Sequence, residues 1–135
     1  MQRILFFKSE RRKKMKFQVK ITGWGDDALE FLNPACNFII IFNEDAPPEL
    51  ADISVLHTKF ELKEEPKAGD TFRICGKEYK VTAVGWEAIN TLRDLGHCTV
   101  SFRGLSEVER PGMIELSGPE FTAEDLKVGG EIEIF

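Results

Sequence analysis

One pattern above all limits what this chain can fold into: from residue 17 onward, apolar and polar side chains alternate with a period of two. Phe17, Val19 and Ile21 are apolar and the residues between them are polar, until Gly23 and Gly25 end the pattern. Successive side chains of a strand point to opposite faces of a sheet, so the alternation predicts a strand with one buried face.

Short segments of the same kind recur along the chain, bounded by Gly, Pro, Asn or Asp. They predict further strands at residues 37–43, 54–62, 71–75, 78–84, 97–102, 113–117 and 131–135. The first of these segments is apolar on both faces, which is typical of a central strand. Gly76-Lys77 is expected to form a tight turn between two of them.

Only residues 86–95 predict a helix. Apolar residues recur there every three positions, from Trp86 to Leu95, and Gly96 is a natural residue for the C-terminal end of the helix. At 135 residues the chain has the size of one domain. Many short strands with glycine turns and a single helix indicate an all-β barrel or sandwich.

Charge is unevenly distributed along the chain. Residues 1–16 carry seven basic side chains and one acidic side chain, whereas residues 17–135 carry 11 basic and 22 acidic ones. An acidic domain repels phosphate backbones, so we expect no nucleic-acid partner. No apolar run approaches the roughly 20 residues that span a bilayer, so we expect no insertion into a membrane.

The basic segment at residues 1–14 is expected to be either a disordered leader or the product of a misassigned start, with a single domain at residues 15–135. Glu10-Arg11-Arg12 can be encoded by GAA-AGG-AGG, which contains a bacterial ribosome-binding sequence, and Met15 follows at a suitable initiation distance. A genuine basic tail on an acidic domain is the alternative interpretation.

The commoner kinds of active site leave no motif in this sequence. Three cysteines, Cys36, Cys75 and Cys98, match no zinc or disulfide spacing, and this indicates a reducing, cytoplasmic setting. The sequence also lacks a glycine-rich phosphate-binding loop and the G-x-S-x-G motif of hydrolases. We therefore expect neither a metal nor a cofactor.

His57 lies in the predicted strand at residues 54–62. In that strand alternate positions from Leu56 to Leu62 form a mainly apolar face, so His57 and Lys59 are predicted on the opposite, exposed face. A neutral imidazole can attack phosphorus, and a nearby cation can hold the incoming anion. An exposed histidine without a function is the alternative. With an exposed ring, His57→Ala is expected to change stability little.

The other histidine, His97, directly follows the predicted helix. Alternation places it on the polar face of its strand and Cys98 on the core face, so a thiol–imidazole pair is not expected. A charged histidine at a helix C-terminus is favoured by the helix dipole, and this indicates a role in capping or in the turn.

A series of segments in fixed order carries a resemblance to a known family. The segments are Val81-Thr82-Ala83-Val84-Gly85, Asn90-Thr91-Leu92-Arg93-Asp94-Leu95-Gly96-His97-Cys98-Thr99, Phe102-Arg103-Gly104-Leu105, Glu109-Arg110-Pro111-Gly112 and Ser117-Gly118-Pro119. Over residues 17–135 the chain resembles the glucitol/sorbitol-specific enzyme IIA of the bacterial phosphoenolpyruvate-dependent sugar phosphotransferase system.

The resemblance implies a closed Greek-key β-barrel of about six to eight short strands with one short helix at about 86–95. It also implies a cytoplasmic phosphocarrier that works without a cofactor. Such a protein accepts a phosphoryl group from the histidine-containing carrier protein HPr. It passes the group to the IIB component of a membrane glucitol/sorbitol permease. Whether the chain forms a homo-oligomer stays open.

The resemblance also assigns roles to residues. The family's phosphorylated histidine follows an acidic, proline-containing turn and lies in a Phe-Ile-His-like strand. Ala46-Pro47-Pro48-Glu49-Leu50 and Val55-Leu56-His57 match that arrangement, so His57 is implied as the catalytic residue. Lys59 stands where some members have another histidine. We expect Lys59 and His97 to support the site without accepting the phosphoryl group.

Two other functions fit the sequence. One is a non-catalytic β-barrel module that binds a protein or small ligand, with His57 incidental. The other is a regulatory relative that is phosphorylated but mainly controls a transcription regulator. Accessibility separates the first from a phosphocarrier, because a phosphocarrier needs an imidazole nitrogen at the surface whereas a binding module can bury it.

We expect a chain that begins at Met15 to fold as stably as the full chain, because the basic segment is expected to make no tertiary contacts. Thermal unfolding of the two chains, followed by circular dichroism, checks this expectation. A clear loss of thermal stability on removal of residues 1–14 would contradict it.

Overall fold

Eight strands and two helices make up the computed structural model, which describes residues 14–135. The strands are β1 (Phe17–Trp24), β2 (Phe38–Asn43), β3 (Val55–His57), β4 (Thr71–Ile74), β5 (Lys77–Val84), β6 (Cys98–Ser101), β7 (Met113–Ser117) and β8 (Glu131–Ile134). The helices are α1 (Pro48–Ala51) and α2 (Trp86–Leu95), and a 3-10 turn spans Ala123–Asp125. The predicted leader lies outside the described residues, except for Lys14.

The strands form a closed barrel in the order β1-β3-β2-β6-β7-β5-β4-β8, with β8 pairing back to β1. This confirms the predicted closed β-barrel. Two of the pairs, β2–β3 and β6–β7, are parallel, and the others are antiparallel. Because parallel strands run in the same direction, the C-terminal ends of β2 and β3 meet at one rim of the barrel.

A single apolar cluster fills the barrel, and it follows from the period-two pattern. In β1, Phe17, Val19 and Ile21 are buried while the polar residues between them are exposed, as predicted. The other large apolar side chains with almost no exposed surface are Phe72, Ile39, Ile41, Ile74, Leu92, Ile114, Leu116, Ile132 and Ile134. Burial of these side chains is the main contribution that favours the folded state.

The predicted strand at residues 54–62 is much shorter in the structure, where β3 contains only Val55–His57. Its inward residues are Val55 and His57, and Leu56 between them is half-buried. The predicted face was therefore wrong. The apolar residues after His57 set the predicted phase, but they lie beyond the last strand pair, where alternation no longer applies.

Helix α2 has the predicted bounds, Trp86–Leu95. Gly96 ends it in the left-handed conformation, with φ of 61°, and its N–H donates to the carbonyl of Leu92. The residues that α2 buries are Ala88 and Leu92, whereas Trp86 is 68% exposed. Across residues 14–135, no helix combines the length and the apolar character that crossing a membrane requires.

The hairpin between β4 and β5 turns one residue earlier than predicted. Its two residues with positive φ are Cys75, at 48°, and Gly76, at 84°, so Lys77 already belongs to β5. Positive φ at both central residues matches the right-handed twist of the flanking strands. The sequence indicated Gly76 correctly but gave no reason to expect a cysteine in this conformation.

The start of β1 is fixed by a buried ion pair. Lys16 Nζ lies 2.9 Å and 2.8 Å from the two carboxylate oxygens of Asp70, and both residues are buried. Asp70 also accepts a hydrogen bond from the backbone N–H of Lys67, so the pair connects the start of β1 to the turn before β4.

We expect Lys16→Gln to lower the free energy of unfolding by about 1–3 kcal/mol, because the Asp70 carboxylate would stay buried without its cation. Lys20→Gln is the matched control, since Lys20 is an exposed lysine of β1, and it should change stability by no more than about 0.5 kcal/mol. Urea unfolding measures both. Equal effects of the two substitutions would show that the ion pair contributes nothing specific.

Candidate functional site

The candidate site lies at the rim where β2 and β3 end. His57 is the last residue of β3, paired with Ile21 of β1 on one side and with Asn43 of β2 on the other. Its carbonyl accepts a hydrogen bond from the N–H of Glu44, which directly follows β2. Both neighbours therefore fix the backbone of His57.

The His57 side chain points into the barrel and has 0% exposure. The prediction of an exposed imidazole is wrong, and the expectation that His57→Ala changes stability little loses the premise on which it was based. Phe17 packs edge-on against the ring with centroids 5.7 Å apart, and Phe60 packs on Phe17 in the same way at 6.0 Å. His57→Ala would remove a buried polar side chain that contacts two carbonyl groups, at a cost of about 1–3 kcal/mol.

Both ring nitrogens of His57 face carbonyl oxygens. Nδ1 lies 2.7 Å from the carbonyl oxygen of Thr58, and Nε2 lies 2.8 Å from that of Gly96. A neutral imidazole carries one N–H, so it can donate to only one of these two oxygens. The other nitrogen must then direct its lone pair at an oxygen lone pair, unless the ring takes up a second proton.

Two opposing effects act on the charge of this ring. Burial lowers the pKa of His57 below its ordinary value of 6.5, while the carbonyls of Thr58 and Gly96 and the nearby charge of Glu44 act to raise it. Burial outweighs the others, so the ring is neutral at neutral pH. The neutral form is the one whose nitrogen lone pair can act as a nucleophile.

Gly96 is the residue that allows the chain to approach His57 so closely. A Cβ at this position would lie 2.1 Å from Asn43 Oδ1 and 2.7 Å from His57 Cε1. Its positive φ also disfavours other residues. The sequence indicated Gly96 only as the end of the helix, but its carbonyl oxygen also contacts the ring of His57, the candidate nucleophile.

Lys59 lies outside the barrel strands, two residues after His57. Its ammonium group is 2.6 Å from Asp45 Oδ2, and both side chains are more than half exposed. The hydrogen bond between them raises the pKa of Lys59 and lowers that of Asp45. The two residues border a shallow groove of about 410 Å³, which is lined by Asn43, Asp45, Lys59, Phe60, Glu61, Arg93, Asp94 and Leu95.

His97 is next to Gly96 in sequence but does not contact the His57 ring through any hydrogen bond of the described residues. Its Nδ1 lies 3.1 Å from the carbonyl oxygen of Ile41, and its ring packs on Phe42 with centroids 4.6 Å apart. The N–H of His97 donates to the carbonyl of Thr91, which ties the end of α2 to the start of β6. These contacts support the predicted structural role, which stays a prediction.

Cys98 faces the core, as predicted, and burial raises the pKa of its thiol to about 12. A thiol with that pKa is almost entirely protonated at neutral pH and is a poor nucleophile. Within residues 14–135, no group of three or more His, Cys, Asp or Glu side chains is arranged to hold a metal ion.

The structure adds three residues to the site that the sequence did not indicate: Phe17, Asn43 and the carbonyl of Gly96. Phe17 was identified only as a core residue, and Asn43 only as the end of a strand. A polar residue at the end of a predicted strand, such as Asn43, is by itself only weak evidence for a functional site. To place Asn43 beside His57, one would have to know that β2 and β3 are parallel neighbours.

The lowered pKa of His57 predicts how stability depends on pH. Between the folded pKa and the unfolded value near 6.5, the unfolded chain binds more protons, so the contribution of His57 to stability decreases as pH falls through this range. We expect urea unfolding from pH 7.5 downward to show a loss that is smaller in His57→Gln. A difference between the two proteins that stays constant with pH would contradict the neutral, buried ring.

Comparison with known proteins places the whole barrel in one family. The family model for the PTS system glucitol/sorbitol-specific IIA component matches residues 16–133. The PTS system glucitol/sorbitol-specific EIIA component of Escherichia coli strain K12 is 39% identical over 117 residues, covering 87% of this chain and 92% of that protein. The component of the same name from Shigella flexneri shows the same identity and coverage.

A solved structure supports the fold independently. The PTS system IIA component from Enterococcus faecalis V583 superposes with a TM-score of 0.72, covering 86% of this chain and 97% of that one at 22% identity. At this identity the likeness speaks for the barrel fold alone. From the family match and the two 39% identical relatives, the chain belongs to the glucitol/sorbitol-specific IIA component family of the phosphotransferase system.

Proposed function

We propose that this protein is a cytoplasmic phosphocarrier that accepts a phosphoryl group on His57 from phospho-HPr and passes it to the IIB component of a glucitol/sorbitol permease. Membership of the family supports a phosphocarrier role in sugar transport. The observation that carries the assignment to His57 is its chemistry: burial keeps the ring neutral, and two backbone carbonyls fix its orientation.

The closed arrangement in the structure is not the one that reacts, because neither ring nitrogen is accessible. The contacts of His57 with the carbonyls of Thr58 and Gly96 differ in how easily they can be broken. Thr58 is the next residue in the chain and stays close to Nδ1, whereas Gly96 belongs to the end of α2 and is 39 residues away in sequence. Movement of the α2–β6 turn away from the rim would therefore free Nε2 first.

A neutral ring favours this opening. With the single proton on Nδ1 and donated to Thr58, the Nε2 lone pair faces the Gly96 oxygen at 2.8 Å, which is repulsive. Separating Nε2 from Gly96 then relieves a repulsion and breaks no hydrogen bond. The same tautomer presents a lone pair on Nε2 for nucleophilic attack, with the other nitrogen held in place.

In the proposed step, Nε2 of His57 attacks the phosphorus atom of the donor's phosphohistidine. A P–N bond forms on His57 as the donor's P–N bond breaks, and the donor imidazole leaves with the bonding electron pair. Positioning and charge stabilisation supply most of the catalysis, because phosphoryl transfer passes through a loose transition state. Transfer to the IIB component repeats the step with His57 as the leaving group, so no cofactor is needed.

A second candidate function has support from the burial of His57. A non-catalytic barrel module can bury this histidine permanently. The inaccessible ring in the structure fits that function better than it fits a phosphocarrier. The labelling experiment described next separates the two functions, since a permanently buried structural histidine takes up no phosphate from any donor.

We expect the protein to become labelled when it is incubated with phosphoenolpyruvate, enzyme I and HPr, and His57→Gln to take up no phosphate. Glutamine is chosen because it keeps a polar group near the two carbonyls, whereas alanine would leave them without a partner. The label should be acid-labile and base-stable, as expected for a P–N bond. Intact mass spectrometry measures the label, and circular dichroism checks that the variant is folded.

His97→Gln is the matched control. It should lower stability or the rate of transfer but still be phosphorylated, because the His97 ring contacts Phe42 and the Ile41 carbonyl and not the reacting nitrogen. A folded His57→Gln protein that still takes up acid-labile phosphate would overturn the assignment. An unlabelled wild type would favour the binding module.

A further inference from the structure

We infer that Arg93, in the last turn of α2, holds the phosphoryl group while it is attached to His57. This inference rests on the proposed function and adds a second cation to Lys59, which the resemblance implied as a supporting residue. Arg93 precedes Gly96, the residue that ends α2 in the left-handed conformation, by only three residues. The carbonyl of Gly96 is the group that covers His57 Nε2.

The position of the Arg93 guanidinium group supports this role. Arg93 lines the same groove as Lys59 and Asn43, and Asn43 is the residue of β2 that pairs with His57. Its Nε lies 3.2 Å from Asp94 Oδ1 and its Nη2 lies 3.0 Å from Asn90 Oδ1. The side chain is about half exposed, at 49%, so it can turn toward a ligand without leaving a buried partner.

Electrostatics explain why a cation is needed here. Helix α2 ends at the site, and a helix C-terminus carries a partial negative charge, which opposes a phosphoryl group on Nε2. The groove also contains the carboxylates of Asp45, Glu61 and Asp94. Arg93 and Lys59 are the only basic residues that line it among the described residues.

Both cations are paired with carboxylates in the structure: Lys59 contacts Asp45 and Arg93 contacts Asp94. An anion can bind in the groove only when Lys59 and Arg93 exchange these carboxylates for it. Such exposed pairs are weak, and a phosphoryl group with its two negative charges competes with them effectively. A planar guanidinium is the better ligand for phosphoryl oxygens, because it can donate two parallel hydrogen bonds.

The experiment uses the full chain and two phosphoryl donors, phospho-HPr and the small molecule phosphoramidate. We expect Arg93→Gln to slow labelling by about tenfold with either donor, which is less than the roughly 10²–10³-fold loss for a donor in a water-excluded site because Arg93 is half exposed. Phosphorus NMR of the labelled protein gives a second readout. Loss of the cation should raise the midpoint at which the phosphoryl group takes up its proton by at least about 0.5 pH units.

Arg93→Lys should restore part of the rate and part of the midpoint. Arg110→Gln is the control, because Arg110 is an exposed arginine that borders a different groove. A labelled Arg93→Gln protein with a rate within twofold of wild type and an unchanged midpoint would overturn the inference and leave the proposed function intact. A wild type that neither donor labels would overturn the proposed function, and the inference with it.

Discussion

The site depends on one unequal contact: a neutral imidazole lies between two carbonyl oxygens and can donate to only one of them. Burial keeps the His57 ring neutral, and the carbonyls of Thr58 and Gly96 lie within 2.8 Å of its two nitrogens. Such a ring is fixed in orientation, but one of its two nitrogens has no hydrogen-bond donor opposite it. Both properties favour the proposed function, in which His57 accepts a phosphoryl group and then releases it.

The barrel topology creates this contact from segments that are far apart in sequence. The parallel pair β2–β3 brings Asn43 and His57 to one rim, and β6 pairs with β2 on its other side. The end of α2 must therefore reach the same rim, because β6 begins only two residues after Gly96. Glycine at position 96 then allows a separation that any Cβ would prevent.

Much of the fold could be predicted from the sequence, whereas the orientation of the candidate nucleophile could not. The β1 alternation and the bounds of α2 depend on local periodicity, and both predictions were confirmed. The inward direction of His57 depends on where strand pairing stops, which is a tertiary property. The apolar residues after His57 continued the alternating pattern beyond the end of β3. They shifted the predicted alternation of buried and exposed residues by one position. The resemblance implied His57 as the catalytic residue, but no pattern in the sequence indicated its burial or its contact with the carbonyl of Gly96.

The central claim is that Nε2 of His57 accepts the phosphoryl group while Nδ1 keeps its proton and donates it to the carbonyl oxygen of Thr58. Nitrogen–phosphorus correlated NMR of the phosphorylated, ¹⁵N-labelled protein tests it most directly. The account predicts coupling of phosphorus to His57 Nε2, together with a protonated Nδ1. Phosphorus bound to Nδ1, to His97 or to any other side chain would contradict the account.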